Sequence, residues 1–419
     1  MSAFTQTARF AIGLYRGRAA VAYAGYVKRD ELALLSLRPG RANPYASYEK
    51  LRARGPLTST RLGNWATTSH RICDAVLRDR RFGVTTDDDT PPGPDEFDLS
   101  FLEMNPPDHT RLRRLASPAF SPKSVAGYAD RIERVVGELL DRAAAAGEFD
   151  LVSAFASPLP IAVITELLGI PDTASADFAR YGAVIGSALD GISSLRHAAQ
   201  LKAADTEVNQ LFEDLFRLRR REPRDDIVSH LVAAEGDQVK PREMLPLCGL
   251  LLVAGFETTV NLIGNGVLAL LSHPEQWRAL CDDPATMAPK AVEEILRYDS
   301  PVQLTSRTAL EPVELAGHEV RKGQLILTLL GAANRDPEVY DRPAVFDITR
   351  EHPAPHLAFS SGIHYCLGQP LARLEATIAF RVLAERMPAL RQAGRVKRRN
   401  ATTIRGPLRL PVAASPPVS

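Results

Sequence analysis

Apolar residues recur every three to four positions along most of this chain, and the stretches that break that rhythm are short. In SVAGYADRIERVVGELLDRA, Val125, Tyr128, Ile132, Val135 and Leu139 share one helical face. NPYASYEKLRARG and HRICDAVLRD read as shorter helices, and helices dominate from Pro107 to about Tyr298. Two stretches switch to alternation: LTSTRLGNWATTS, with a turn at Gly63-Asn64, and EPVELAGHEVRKGQLILTLL, with Gly317 and Gly323 as turn signals. A last helix runs from about Gln369 to Met387, with Leu371, Leu374, Ile378 and Val382 on one face, until Pro388 ends it. The tail alternates like edge strands. The expected class is mainly α with small β-sheets, as one domain over residues 31–419 behind a basic segment, 1–30.

Residues 244–271, MLPLCGLLLVAGFETTVNLIGNGVLALL, are apolar on nearly every face and make a helix of about 40 Å. A membrane span would have to carry Glu257, Thr258, Thr259, Asn261 and Asn265 near its middle, which is costly. A helix through the centre of the domain is the better reading. Residues 1–29 hold Arg9, Arg16, Arg18, Lys28 and Arg29 and no acid. Their apolar runs fall short of the roughly 20 residues a span needs, so no transmembrane anchor is expected. A packed helix, a transit peptide and a helix lying on a membrane surface all stay open.

Composition narrows the partners. The formal net charge of +1 argues against nucleic acid, and 45% hydrophobic with 24% charged residues is globular. Four widely spaced cysteines show no pairing pattern, which fits a reducing, cytoplasmic setting. The proline-rich loop at 85–100 holds Asp87, Asp88, Asp89, Asp95, Glu96 and Asp98, either as solvated charge or as an attractor for a cationic substrate.

One cysteine stands in a distinctive place. In AFSSGIHYCLGQPLARLE, Cys366 follows Gly362 and His364 and precedes Gly368 and a helix opened near Pro370. Free N–H groups at that helix start favour a thiolate. Three chemistries compete: a zinc site with His352, His356 and His364, a nucleophile with a distant base, and an axial ligand to haem iron.

FSSGIHYCLG, from Phe359 to Gly368, resembles the haem-binding loop of the cytochrome P450 superfamily, Phe-x-x-Gly-x-x-x-Cys-x-Gly. Other segments resemble that family in its order along most of the chain. Glu294 and Arg297 match its Glu-x-x-Arg pair, and Arg350 matches the third member of that buried group. AGFETT, Ala254 to Thr259, is similar to its oxygen-binding motif, with Thr258 as the motif's threonine and Glu257 as the acid that relays protons. His109, Arg113, Arg307 and His364 match groups that hold the haem propionates. Ser360 stands where soluble bacterial members usually have glycine.

The resemblance implies a triangular prism-like domain with haem b between the central and C-terminal helices. It implies an O2-dependent monooxygenase that hydroxylates or epoxidises an apolar molecule. A polyketide or macrolide of secondary metabolism is the first expectation; a steroid, terpenoid or fatty acid is the alternative, and a non-catalytic haem-thiolate sensor is the rival class. Val253, Phe256, Val302 and Leu304 are the expected pocket residues. Electrons would come from a ferredoxin and its NAD(P)H-linked reductase, with Arg111, Arg114 and Lys123 as a docking surface, and the chain is expected to be a monomer.

Overall fold

The computed structural model describes residues 3–61, 63–86 and 98–414. The acids Asp87, Asp88, Asp89, Asp95 and Glu96 of the expected substrate loop lie outside the described residues. The fold is 59% helix with small sheets. Its backbone element is the helix Pro241–Ser272, 32 residues long, here called the central helix. Pro241 opens it, and Glu243 turns back to accept the Lys240 backbone N–H at 2.8 Å, satisfying a donor the helix start would leave bare. The central helix passes the length and composition test for a membrane span, but 78% of its most apolar window is buried among other helices, so it is a core element.

Its polar residues are used. Asn265 donates to the carbonyls of Asp299 (3.1 Å) and Arg405 (2.9 Å), and Asn261 donates to its own helix at the Glu257 carbonyl (2.7 Å). Asn265 thus pins the C-terminal loop where an apolar residue could only pack. Gly255 serves close approach: a Cβ there would lie 2.5 Å from the Ile164 side chain on helix Pro158–Leu168.

One apolar core runs from Phe101 to Val412, with three smaller clusters beside the sheets. The largest sheet orders its strands Thr58–Ser59, Trp65–Thr67, Leu325–Thr328, Thr305–Ala309, Phe82–Gly83. Trp65 pairs in parallel with Ile326, and Thr305 pairs antiparallel with Thr328. The hairpin Val313–Leu315 to His318–Val320 turns through Ala316 and Gly317, both at positive φ.

The helix Pro284–Tyr298 carries the scaffold pair. Glu294 and Arg297 are wholly buried, with two hydrogen bonds between them of 2.7 and 2.8 Å. Arg297 also donates to the carbonyls of Asn334, Pro343 and Val345, and Glu294 accepts the Asp347 N–H. Arg350 lies 3.5 Å from Glu294 as an electrostatic neighbour, and its hydrogen bonds go to the Asp341, Arg342 and Val345 carbonyls. His352, 3.9 Å from Glu294, is a fourth member the sequence did not point to.

Candidate active site

The cysteine loop is held at both ends. The Cys366 N–H donates to the Phe359 carbonyl (2.9 Å), and Ser361 donates to Asp74 (2.7 Å) on helix His70–Arg78. Gly362 sits at φ 69° with the Leu77 carbonyl where a Cβ would go, so only glycine fits. Ser360 also takes a left-handed φ, 63°, and its buried hydroxyl has no partner. The loop therefore carries backbone strain where a glycine would carry none. Cys366 itself is half-buried. Burial pushes its thiol up, while the N–H groups of Gly368 and Gln369 and the charges of Arg113 and Arg373 pull toward the thiolate.

Nothing in the sequence singles out Arg373. From helix Gln369–Arg386 it donates to Glu293 at 2.6 and 3.1 Å and lies 4.6 Å over the Phe359 ring, tying that loop to the Glu-Arg helix. Burial would raise the Glu293 carboxyl, but hydrogen bonds from His356 and Arg373 outweigh it and hold the pKa at about 2.

Further along the same helix, Glu375 is 1% exposed, and its Oε2 has no partner. Burial raises its pKa well above the usual range, so the folded state favours the protonated form. Stability linked to such a group declines as the pH rises from its unfolded value through its folded one. Glu375→Gln should therefore be more stable than the parent at pH 8 and equal to it below about pH 4. Urea unfolding at the two pH values checks the sign.

A cationic cluster lies beside the loop. The rings of His109 and His364 sit 4.2 Å apart, and Arg113 donates to the Tyr365 carbonyl at 2.5 Å. Arg307, 4% exposed, has only Ser306 and Thr305 oxygens as hydrogen-bond partners among the described residues. Burial draws its pKa down to about 10. Burial, with the nearby arginines, lowers His109 to about 4 and His364 to about 3. Both ring nitrogens of His109 and Nε2 of His364 are buried without partners. Two arginines and three unsatisfied imidazole nitrogens, with no acid facing them among the described residues, make a cradle for paired carboxylates.

The central helix presents one open face. Ala254 is exposed midway along a buried helix, Thr258 one turn on is half-buried, and its hydroxyl donates to the Ala254 carbonyl at 3.2 Å. Glu257 is 2% exposed and pairs with Arg399 at 2.5 Å. Phe256 lies on the far side of the helix, against Gly182 of helix Asp172–Gly186, and Val253 is 1% exposed in the main core. Val302 and Leu304 stay half-buried on the approach to strand Thr305–Ala309. Among the described residues no cluster of three or more His, Cys, Asp or Glu could hold a metal, which leaves the zinc reading without ligands there.

The cytochrome P450 family model matches residues 284–386. The chain is 40% identical over 362 residues to the biotin biosynthesis cytochrome P450 of Bacillus subtilis, covering 84% of this chain and 91% of that protein. The chain belongs to the cytochrome P450 family. This P450 is also 38% identical to 6-deoxyerythronolide B hydroxylase of Saccharopolyspora erythraea, over 88% of this chain and 95% of the relative. Its fold superposes on P450BioI, solved with a hexadec-9Z-enoic acid-ligated acyl carrier protein, at TM-score 0.84 and 38% identity over 90% and 98% of the two chains. It is a monooxygenase of a family whose cofactor is haem b and whose redox partners include ferredoxins and their reductases. The unsatisfied cradle, the glycine-backed cysteine loop and the open face at Ala254 fit that group.

Proposed function

We propose that this P450 inserts one oxygen atom of O2 into a C–H bond or alkene of a polyketide-type substrate and releases the other as water, using two protons, and two electrons from its redox partner, with Cys366 as the thiolate that would hold the haem. The observation that carries the residue roles is the set of buried, unpartnered imidazole nitrogens beside Cys366, together with Arg113 and Arg307, two arginines that pair with no acid among the described residues and match two propionates in number and sign. When bound, the haem supplies the iron at which oxygen is reduced.

The chain's own residues do the rest. The Gly368 and Gln369 N–H groups donate to the sulfur and hold its negative charge. His109, His364, Arg113 and Arg307 take the carboxylates. Glu257 receives a proton at its carboxylate and passes it to the Thr258 hydroxyl, whose helix face is open. Ala254 leaves room beside that hydroxyl. The 6-deoxyerythronolide B hydroxylase among the relatives and the bacillaene polyketide synthase cytochrome P450 PksS among the similar structures support the polyketide reading, while the acyl-carrier complex of P450BioI supports a fatty-acyl substrate as the second. Turnover under 18O2 with a macrolactone panel and an acyl panel decides it: one labelled atom in a macrolactone product is expected. Labelled product from the acyl panel alone would replace the polyketide reading, and no labelled product from either would reject both.

A ferredoxin would supply the electrons. Of the expected docking cations, Arg111 is withdrawn, because it is bound to Asp108 and Glu243 at 2.5 and 2.8 Å. Arg114 and Lys123 are exposed. Arg114→Glu/Lys123→Glu should slow reduction by a surrogate ferredoxin about tenfold at low salt, and an unchanged rate would remove them from the docking surface.

A further inference from the structure

A groove of about 1330 Å³ lies between the N-terminal helix Ala3–Ala22, the short helix Arg38–Ala42 with the two residues before it, and the hairpin Lys397–Arg398 to Pro407–Arg409. Eight of its nineteen lining residues are arginine or lysine, and none is acidic. The whole chain carries 51 basic and 50 acidic residues, so this sign is built locally rather than inherited from composition. Some of the cations are engaged: Arg398 lies 3.8 Å from Asp299, and Arg18 donates to the Ser193 carbonyl. Arg38, Arg395, Lys397 and Arg409 are exposed and pair with no acid among the described residues. Leu14, Val21, Leu37 and Val396 line the same groove and give it an apolar wall.

Arg399 connects the groove to the active site. It lines the groove, yet its guanidinium holds Glu257, whose side chain is 3% exposed. Its Nε is buried without a partner, so the guanidinium has donor capacity that Glu257 does not use.

We propose that the groove binds the oxyanion head of a small amphiphile, a phosphate or carboxylate on a short apolar chain, and that this ligand shares Arg399 with Glu257. The free cations supply the charge, and the apolar wall takes the chain. A second anion drawn to Arg399 weakens its hold on Glu257 and puts negative charge nearby. Both effects raise the proton affinity of Glu257. By linkage the effect is reciprocal: neutralising Glu257 strengthens anion binding. Its consequence for turnover rests on the relay role given to Glu257 above, but binding does not, and it is measured in oxidised protein without an electron donor.

Isothermal titration of the holoprotein with hexyl phosphate, hexanoate and inorganic phosphate tests this. Hexyl phosphate or hexanoate should saturate with one site, more tightly than inorganic phosphate, and the better of the two identifies the head group. Arg395→Glu/Lys397→Glu, two exposed changes away from the catalytic residues, should weaken binding at least tenfold. Glu257→Gln should tighten it about tenfold, and proton uptake on binding should appear as a dependence of the heat on buffer ionisation. Unchanged affinity in Arg395→Glu/Lys397→Glu would overturn the groove as the site. Unchanged affinity in Glu257→Gln would overturn the sharing of Arg399, and equal affinity for inorganic phosphate would overturn the amphiphile.

Discussion

Glu294→Ala should lower the unfolding free energy by about 3–5 kcal/mol, the range for breaking a buried ion pair from one side. Both side chains of the pair are fully buried, and Arg297 is already committed to three loop carbonyls. Without Glu294 that guanidinium would keep its charge in the core beside the Tyr340 ring, 5.5 Å away, with Arg350 as an added repulsion. The Asp347 N–H would lose its acceptor as well. Glu294→Gln keeps the shape and part of the hydrogen bonding and should cost less. Urea unfolding of the holoproteins measures both, and a loss under about 1 kcal/mol for alanine would place the pair among ordinary surface bridges.

Thr258→Ala and Glu257→Gln should each lower product formation about 100-fold at neutral pH, the scale of one positioned proton-transfer group. Neither residue is among those proposed to hold the haem, so the reduced carbon monoxide spectrum should be unchanged. Electrons consumed without product should appear as hydrogen peroxide, O2 having taken up two electrons and two protons without cleavage of its O–O bond. Coupled turnover at the parent rate in both variants would take the relay away from this pair.

Short-range chemistry was legible in the sequence. The cysteine loop is a local turn whose glycine positions follow from backbone limits, and Glu294–Arg297 is one helical turn. The long central helix was legible because its apolar run is unbroken, but the same uniformity hid its faces. Phe256 stands about 200° around the helix from Ala254, and only the packing of Gly182 shows which side is core. Charge pairing was the least legible. Arg399 meets Glu257 across 142 positions of chain, Arg373 meets Glu293 across 80, and Arg111 meets Glu243 across 132. Such partners are chosen by the fold, and nothing in a run of arginines says which one is occupied. The left-handed φ at Ser360 was foreseeable as a cost, since a serine replaces glycine in a loop that turns sharply there.

The central claim is that Cys366 binds haem iron as a thiolate. The direct measurement is the difference spectrum of the dithionite-reduced protein with and without carbon monoxide, recorded beside Cys366→Ala. A strongly red-shifted Soret band in the parent that is lost in the variant is the predicted result. A haem-loaded parent without that shift, or a variant that keeps it, would contradict the assignment.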